Sequence, residues 1–198
     1  MITKLATTIT DYIESKGDIP SGDREIYLYG LWQGLVILVN FITMALIGAL
    51  FGVLFYMLVF TIAFVPLRSY AGGYHASTPL RCYGASVVMM VFLSIMFSMV
   101  TFSDFTMVTS LILLGLSIIL LSPVAHHNKP LDEVEVKVYG KRAIRLCGIW
   151  LFIAFLSLQL GIPFLTTGIF WAFLTVLLLQ VLQKLFGQKP QLDELESM

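Results

Sequence analysis

An uninterrupted apolar run constrains this chain more than any other feature of its sequence. The 35 residues from Leu31 to Val65 contain no Asp, Glu, Lys or Arg. A helix needs about 20 mostly apolar residues to cross a bilayer, so one helix of this length would extend beyond the membrane. Gly48 and Gly52 lie near the middle of the run and favour a tight turn there. We therefore predict two membrane-spanning helices joined by a short loop.

The composition extends this prediction to the whole chain. Hydrophobic residues make up 58% of the 198 residues and charged residues 12%. A soluble domain has about 45–50% hydrophobic and about 25% charged residues. This excludes an ordinary soluble enzyme, a disordered chain and a nucleic-acid-binding protein. The long apolar runs lack the alternation of a membrane β-barrel. We predict an all-α, polytopic membrane protein with about six transmembrane helices in a membrane domain at 29–186, namely 29–50, 51–67, 83–102, 105–121, 146–160 and 163–186.

The basic residues predict the orientation of these spans. With six spans, all 12 Lys and Arg residues fall on the same side as the two termini. The three turns on the other side, near residues 48–52, 101–105 and 160–167, hold one charged residue, Asp104. Because loops rich in Lys and Arg stay on the cytoplasmic side of a membrane, we expect both termini and both long polar loops to be cytoplasmic.

Three segments lie outside the predicted spans, in addition to the loop at residues 66–82. Residues 1–28 begin with an amphipathic pattern that places Ile2, Leu5 and Ile9 on one helical face. Such a helix lies on a membrane surface, either as an anchor or as a docking surface for a partner. The other two segments are a basic cytoplasmic loop at 122–145 and a polar C-terminal tail at 187–198.

The loop at residues 66–82 concentrates the reactive side chains of the chain. It contains Arg68, Gly72, Gly73, His75, Arg81 and Cys82 between two apolar spans. The two glycines prevent one continuous helix, and irregular backbone at membrane depth survives only where protein buries it or water reaches it. This loop is the predicted functional site, with Gly72, Gly73 and Arg81 shaping it.

Cys82 and His75 are the residue types needed for thiol catalysis, in which the imidazole accepts the thiol proton and the thiolate attacks a carbonyl. Their separation requires the chain to fold back. Thr78 and Pro79 predict a helix that starts with Thr78 as N-cap, which places Cys82 in the first turn near the positive end of the helix dipole. This position and the adjacent Arg81 favour a thiolate. Arg68 or the loop amides could stabilise an oxyanion.

Other interpretations remain open from the residues alone. Cys82 can be a small buried residue, and the arginines can be ordinary cytoplasmic charges. Cys147 beside Arg145 is a weaker candidate nucleophile, with no histidine near it in the sequence. The remaining alternatives are a metal site, a small-peptide transporter and a non-catalytic membrane scaffold. The metal site would collect His75, Cys82, His126 and His127, but the chain has no CxxC or HExxH motif, and we expect no metal or cofactor.

The pattern Arg68-(x6)-His75-(x6)-Cys82, with Gly72-Gly73 before the histidine, resembles the accessory gene regulator B (AgrB) family. These are membrane cysteine endopeptidases of bacterial peptide quorum sensing. The segment at 122–131, with its Asn-Lys-Pro sequence, is also similar to the family. The resemblance implies that Cys82 is the nucleophile and His75 the base, and that Arg68 is linked to activity.

The same resemblance implies a substrate and a location. The substrate would be an AgrD-like precursor peptide, which is held as a thioester and released as a cyclic thiolactone or lactone. The protein would lie in the bacterial cytoplasmic membrane as a homodimer, for which Gly30 and Gly34 at GxxxG spacing offer weak packing support. A third catalytic residue stays open among four polar residues of the second loop, or the family uses a dyad. These four are Asn128, Asp132, Glu133 and Glu135.

Overall fold

A computed structural model of the protein describes residues 2–17, 20, 22–74, 78–125 and 131–186. Over these ranges the chain forms seven α-helices and no β-strand, so the all-α prediction is confirmed. They are α1 (Ile2–Ser15), α2 (Arg24–Leu50), α3 (Leu54–Ala71), α4 (Pro79–Met99), α5 (Asp104–Leu121), α6 (Glu133–Gln159) and α7 (Pro163–Phe186). Several predicted features lie outside the described residues, namely His75, His126, His127, Asn128 and the tail at 187–198.

The helices α2 to α7 are all long and apolar enough to cross a membrane, with mean hydropathy between 1.4 and 2.1 over their most apolar stretches. This agrees with the predicted six spans and indicates a multi-pass membrane protein. Consecutive spans run in opposite directions, so the C-terminal ends of α3, α5 and α7 lie at one end of the bundle. The side of the membrane that this end faces remains a prediction.

The turn between α2 and α3 lies where the two glycines predicted it. Gly52 has a φ of +70°, and the N–H of Val53 donates to the carbonyl of Gly48 over 2.8 Å. A Cβ at Gly48 would lie 3.1 Å from the Cα of Leu54. The turn therefore needs glycine once for its backbone conformation and once for the close approach of the two helices.

The helix α7 forms the centre of the bundle. Of its most apolar stretch 56% is buried, compared with 11% for α2. It packs against α3, α5 and α6, and Ile169, Phe173 and Val176 are fully buried. Gly168 lets α3 approach closely, because a Cβ there would lie 2.8 Å from Val59 Cγ1. Side chains near the end of α7 are consequently well placed to organise the loops that meet there.

The helix α6 begins at Glu133, well before the predicted span at 146–160, and it runs through most of the loop predicted at 122–145. Its start is a capping box: the N–H of Glu135 donates to the Asp132 carboxylate over 2.6 Å, and the Glu135 carboxylate accepts from the N–H of Asp132 over 3.3 Å. A search for apolar runs misses this polar first half. Asp132 and Glu135, considered above as catalytic partners, therefore bond to each other at a helix start.

The N-terminal segment forms a helix, as predicted, and this helix packs on the start of α2. Its most buried residues are the small side chains of Ala6 and Thr10, whereas Leu5 of the predicted apolar face and the nearby Tyr12 are 50% and 64% exposed. Arg24 at the start of α2 pairs with Asp11 and Glu14 of α1. These ion pairs join α1 and α2 and leave Leu5 and Tyr12 accessible.

Candidate functional site

Cys82 lies in the first turn of α4, and the predicted start of this helix is confirmed. The hydroxyl of Thr78 accepts from the N–H of Arg81 over 3.3 Å, with Pro79 at the first helical position. The N–H of Cys82 donates to the Thr78 carbonyl over 3.0 Å. The Cys82 side chain is exposed. The thiol is thus accessible and lies near the positive end of the helix dipole.

Arg68, near the C-terminal end of α3, is half-buried and connects to the loop that follows its helix. Its Nη2 donates to the carbonyls of Gly73, over 2.9 Å, and Tyr74. Its guanidinium also interacts electrostatically with the Cys82 sulfur. Arg68 therefore holds the loop backbone, and its positive charge lies within electrostatic range of the Cys82 thiol. Its hydrogen bonds go to backbone carbonyl oxygens, so Arg68 stabilises the conformation of the loop.

Gly72 and Gly73 form a close crossing of the backbone. They have φ values of +78° and +133°, a region that favours glycine. Gly72 pairs with Val124 in an isolated parallel bridge, and a Cβ at Gly72 would lie 2.1 Å from the Val124 carbonyl oxygen. A Cβ at Gly73 would lie 3.0 Å from the carbonyl carbon of Leu179. The close approach of Val124 to Gly72 and of Leu179 to Gly73 leaves little or no room for a side chain at either position, which supports the loop-shaping role predicted for the two glycines.

The segment 72–74 is held by α7 as well as by Arg68. The N–H of Tyr74 donates to the carbonyl of Leu179 over 2.9 Å. Next to it, the fully buried Gln180 donates from Nε2 to the Ala71 carbonyl over 3.0 Å. Gln180 contacts this loop, and the sequence reasoning did not select it as a candidate. The available signal was a glutamine in an otherwise apolar span, because polar groups at membrane depth are costly and are usually functional.

The structure brings part of the predicted site together. Arg68, Gly72 and Gly73 form one cluster, and Cys82 lies near the Arg68 guanidinium. Arg81 is exposed in the same helical turn as Cys82. His75 directly follows Tyr74 in the chain and lies outside the described residues. The cluster therefore holds the residues that directly precede the segment carrying His75.

The other candidates lie elsewhere. Cys147 is fully buried in α6, so its thiol is not accessible to a substrate. In the part of the chain that the structure describes, no group of three or more His, Cys, Asp or Glu residues could hold a metal ion. Cys82 is therefore the accessible thiol of the described chain.

The site thus combines an exposed cysteine at a helix start, an arginine within electrostatic range of it and a glycine pair that crosses a neighbouring loop. The family model described as Accessory gene regulator B matches residues 6–184. The chain belongs to the AgrB family. Membership of this family implies a role in processing the peptides of agr quorum sensing, a membrane context and an AgrD-like precursor as substrate.

Two relatives support the assignment to the AgrB family. A protein of Clostridium perfringens (strain SM101 / Type A) described as AgrB-like is 26% identical over 171 residues, which cover 81% of this chain and 78% of the relative. A second AgrB-like protein, from C. perfringens (strain 13 / Type A), is 24% identical over 171 residues with the same coverage. No solved structure gives a significant match.

Proposed function

We propose that this AgrB-family protein is a membrane-embedded cysteine endopeptidase. It cleaves an AgrD-like precursor through a thioester on Cys82 and releases a cyclic autoinducing peptide. The observation that carries the proposal is the exposed Cys82 thiol in the first turn of α4, with the Arg68 charge within electrostatic range of it. A helix N-terminus and a neighbouring cation are the surroundings that favour a nucleophilic thiolate.

The proposed reaction has two acyl transfers. His75 accepts the Cys82 proton, the thiolate attacks the scissile carbonyl, and the C–N bond breaks as the amine leaves with the proton from His75. The N-terminal part of the precursor remains as a thioester. A thiol or hydroxyl within the precursor then gives its proton to His75 and attacks this thioester, which closes the ring and breaks the bond to Cys82. The proton returns to the Cys82 thiolate.

The second transfer needs no ATP when a precursor thiol is the attacking group, because exchange between a thioester and a thiol is nearly balanced. Water must be excluded, since hydrolysis of the thioester would release a linear peptide. The location of the site at the end of a membrane-spanning bundle supports such exclusion. We place this end, and both termini, on the cytoplasmic side of the bacterial cell membrane, because the basic residues concentrate there.

We also propose that the protein is a homodimer. Gly30 and Gly34 lie on an open face of α2, where a Cβ at either residue would meet nothing within 4 Å among the described residues. Together with Ile26, Leu31 and Leu35 they line a shallow apolar groove. Small residues at this spacing allow two helices to approach closely in a bilayer.

The experiment that tests the proposed function uses the purified full-length chain in proteoliposomes with a synthetic AgrD-like precursor. We expect two fragments by mass spectrometry, with the N-terminal one released as a ring that is lighter than the linear form by one water. A hydroxylamine-sensitive adduct should form on Cys82. Processing that stops on chelation but survives alkylation of Cys82 would instead support a metal enzyme. Movement of intact precursor without cleavage would support a transporter, and no reaction at all would support a scaffold.

Replacing Arg68 separates its charge from its hydrogen bonds. Arg68→Lys keeps the positive charge but loses the guanidinium group that reaches two loop carbonyls. We expect the cleavage rate to fall about tenfold or more, because small displacements of reacting groups cost large factors in rate. The rate is measured with the synthetic precursor, and Arg145→Lys on the exposed surface of α6 is the control. Full activity of Arg68→Lys would show that only the charge matters.

A further inference from the structure

Gln180 joins three helix ends at one point of the bundle. It lies near the C-terminal end of α7 and is fully buried. Its Nε2 donates to the Ala71 carbonyl at the end of α3 and to the Ser122 hydroxyl just after α5, each over 3.0 Å. These partners lie 109 and 58 positions away in the chain. A single side chain thus connects α3, α5 and α7.

The chemistry of the neighbours determines how the Gln180 amide is oriented. The Ala71 carbonyl can only accept a hydrogen bond, and the Ser122 hydroxyl already donates its hydrogen to the Ile118 carbonyl over 2.7 Å. Both neighbours therefore require a donor, and the NH2 group of glutamine supplies two. The Gln180 oxygen has no hydrogen-bond partner within the described residues. A glutamate or a methionine at this position could not make the same pair of bonds.

The bond to Ala71 acts at the last residue of α3, directly before the glycine pair that crosses Val124. A helix end leaves its last carbonyls without partners in the helix, and the Ala71 carbonyl accepts from Gln180 and also from the N–H of Val124, over 3.0 Å. The carbonyl of Leu179, the residue that precedes Gln180 in α7, accepts from the N–H of Tyr74. The backbone from Ala71 to Tyr74 is therefore attached to α7 at both of its ends.

We propose that Gln180 is a positioning residue for the thiol site. It fixes the backbone of Ala71–Tyr74, whose Gly73 and Tyr74 carbonyls accept from Arg68, and with it the placement of the guanidinium that interacts electrostatically with Cys82. This inference rests on the proposed function, because it names a residue that acts on the reaction only through the loop. Gln180 itself does not touch the substrate. Without its two donors, the loop loses one attachment, and the position of the Arg68 guanidinium relative to Cys82 becomes less well defined.

The test replaces Gln180 by methionine, which has a similar volume and no donor. Gln183→Met is the matched control. Gln183 is also buried on α7, and its amide oxygen lacks a partner in the described chain. In proteoliposomes with the synthetic precursor, Gln180→Met should lower kcat about tenfold to a hundredfold with KM unchanged. Gln183→Met should keep both constants, and alkylation of Cys82 should slow only in Gln180→Met.

A smaller change provides a second test that does not depend on how Gln180→Met folds. Ser122→Ala removes one acceptor of the Gln180 amide, and Ser117→Ala is its control. Both hydroxyls donate to the carbonyl four residues earlier, but only Ser122 also contacts Gln180. Ser122→Ala should lower kcat several-fold and Ser117→Ala should not. In the Gln180→Met background, Ser122→Ala should have little further effect, because the shared bond is already lost.

The outcomes separate this inference from the proposed function. If Cys82→Ala is inactive while Gln180→Met and Ser122→Ala both keep the wild-type kcat, the positioning role is wrong and the proposed function stands. If the variants lower the melting temperature but leave kcat and the alkylation rate of folded protein unchanged, Gln180 is only a packing residue and the inference is also wrong. If Cys82→Ala still processes the precursor, the proposed function itself fails.

Discussion

Replacing Cys82 with alanine should abolish cleavage of the precursor, with a loss of at least about a thousandfold. The proposed reaction forms a covalent bond to this sulfur, and no neighbouring group can substitute for it. Cys82→Ser should be nearly as inactive, because a hydroxyl at this position is far less acidic than a thiol. His75→Ala should fall to a similar level, since the base and the nucleophile act as one unit. Cleavage is measured by mass spectrometry in proteoliposomes with the synthetic precursor.

Cys147→Ala is the control for this experiment, because the chain has two cysteines and they differ in exposure. Cys147 is fully buried in α6, so its replacement should leave the cleavage rate close to that of the wild type. It should also leave the hydroxylamine-sensitive adduct on Cys82 intact. The thiol mechanism would be excluded by a Cys82→Ala variant that still cleaves, or by an adduct that maps to Cys147.

The second large effect is expected for Gly72→Ala. The added methyl group would lie 2.1 Å from the Val124 carbonyl oxygen, far inside van der Waals contact. The alanine backbone would also have to adopt a φ of +78°. The backbone crossing with Val124 must therefore open. We expect the cleavage rate to fall about a hundredfold, because the crossing holds the Ala71–Tyr74 segment that Arg68 and α7 position. The rate is measured with the same precursor, and the folded fraction by thermal unfolding.

Gly17→Ala is a control that separates the collision from the backbone strain. Gly17 has nearly the same φ, +79°, but a Cβ there would meet nothing within 4 Å among the described residues. Its replacement should cost about 1–2 kcal/mol of local strain and leave the cleavage rate unchanged. Equal losses of activity in the two variants would show that strain alone matters and that the crossing with Val124 does not position the site.

Local features of the sequence were sufficient to predict several elements correctly. Thr78-Pro79 predicted the start of α4 and hence the position of Cys82 in its first turn, because an N-cap is formed by residues within one helical turn. Gly48 and Gly52 predicted the α2–α3 turn, because a turn is also formed by residues that are close in the sequence. The start of α6 was missed, although Asp132 and Glu135 carry a capping-box pattern, because its first half is polar and only apolar runs were considered.

The contacts within the site were less accessible to prediction. Arg68 was expected either to stabilise an oxyanion or to be an ordinary cytoplasmic charge, and the structure adds that its Nη2 donates to two loop carbonyls. Gln180 was not among the residues that the sequence analysis selected. Its partner Ala71 is 109 positions away, and no periodicity or spacing in the sequence relates two such residues.

The sequence by itself determined the membrane class and the number of candidate spans, and it predicted the loop at 66–82 as the functional site. Hydrophobicity acts residue by residue, so a long uncharged run reports its own surroundings without knowledge of its neighbours. Only the tertiary structure decided which cysteine is accessible, which groups Arg68 contacts and what holds the glycine pair. These depend on α7 packing at the centre of the bundle, which brings the ends of α3, α5 and α7 together across distant parts of the chain. Contacts of this kind arise from packing among many helices at once, and the sequence near each residue does not encode them separately.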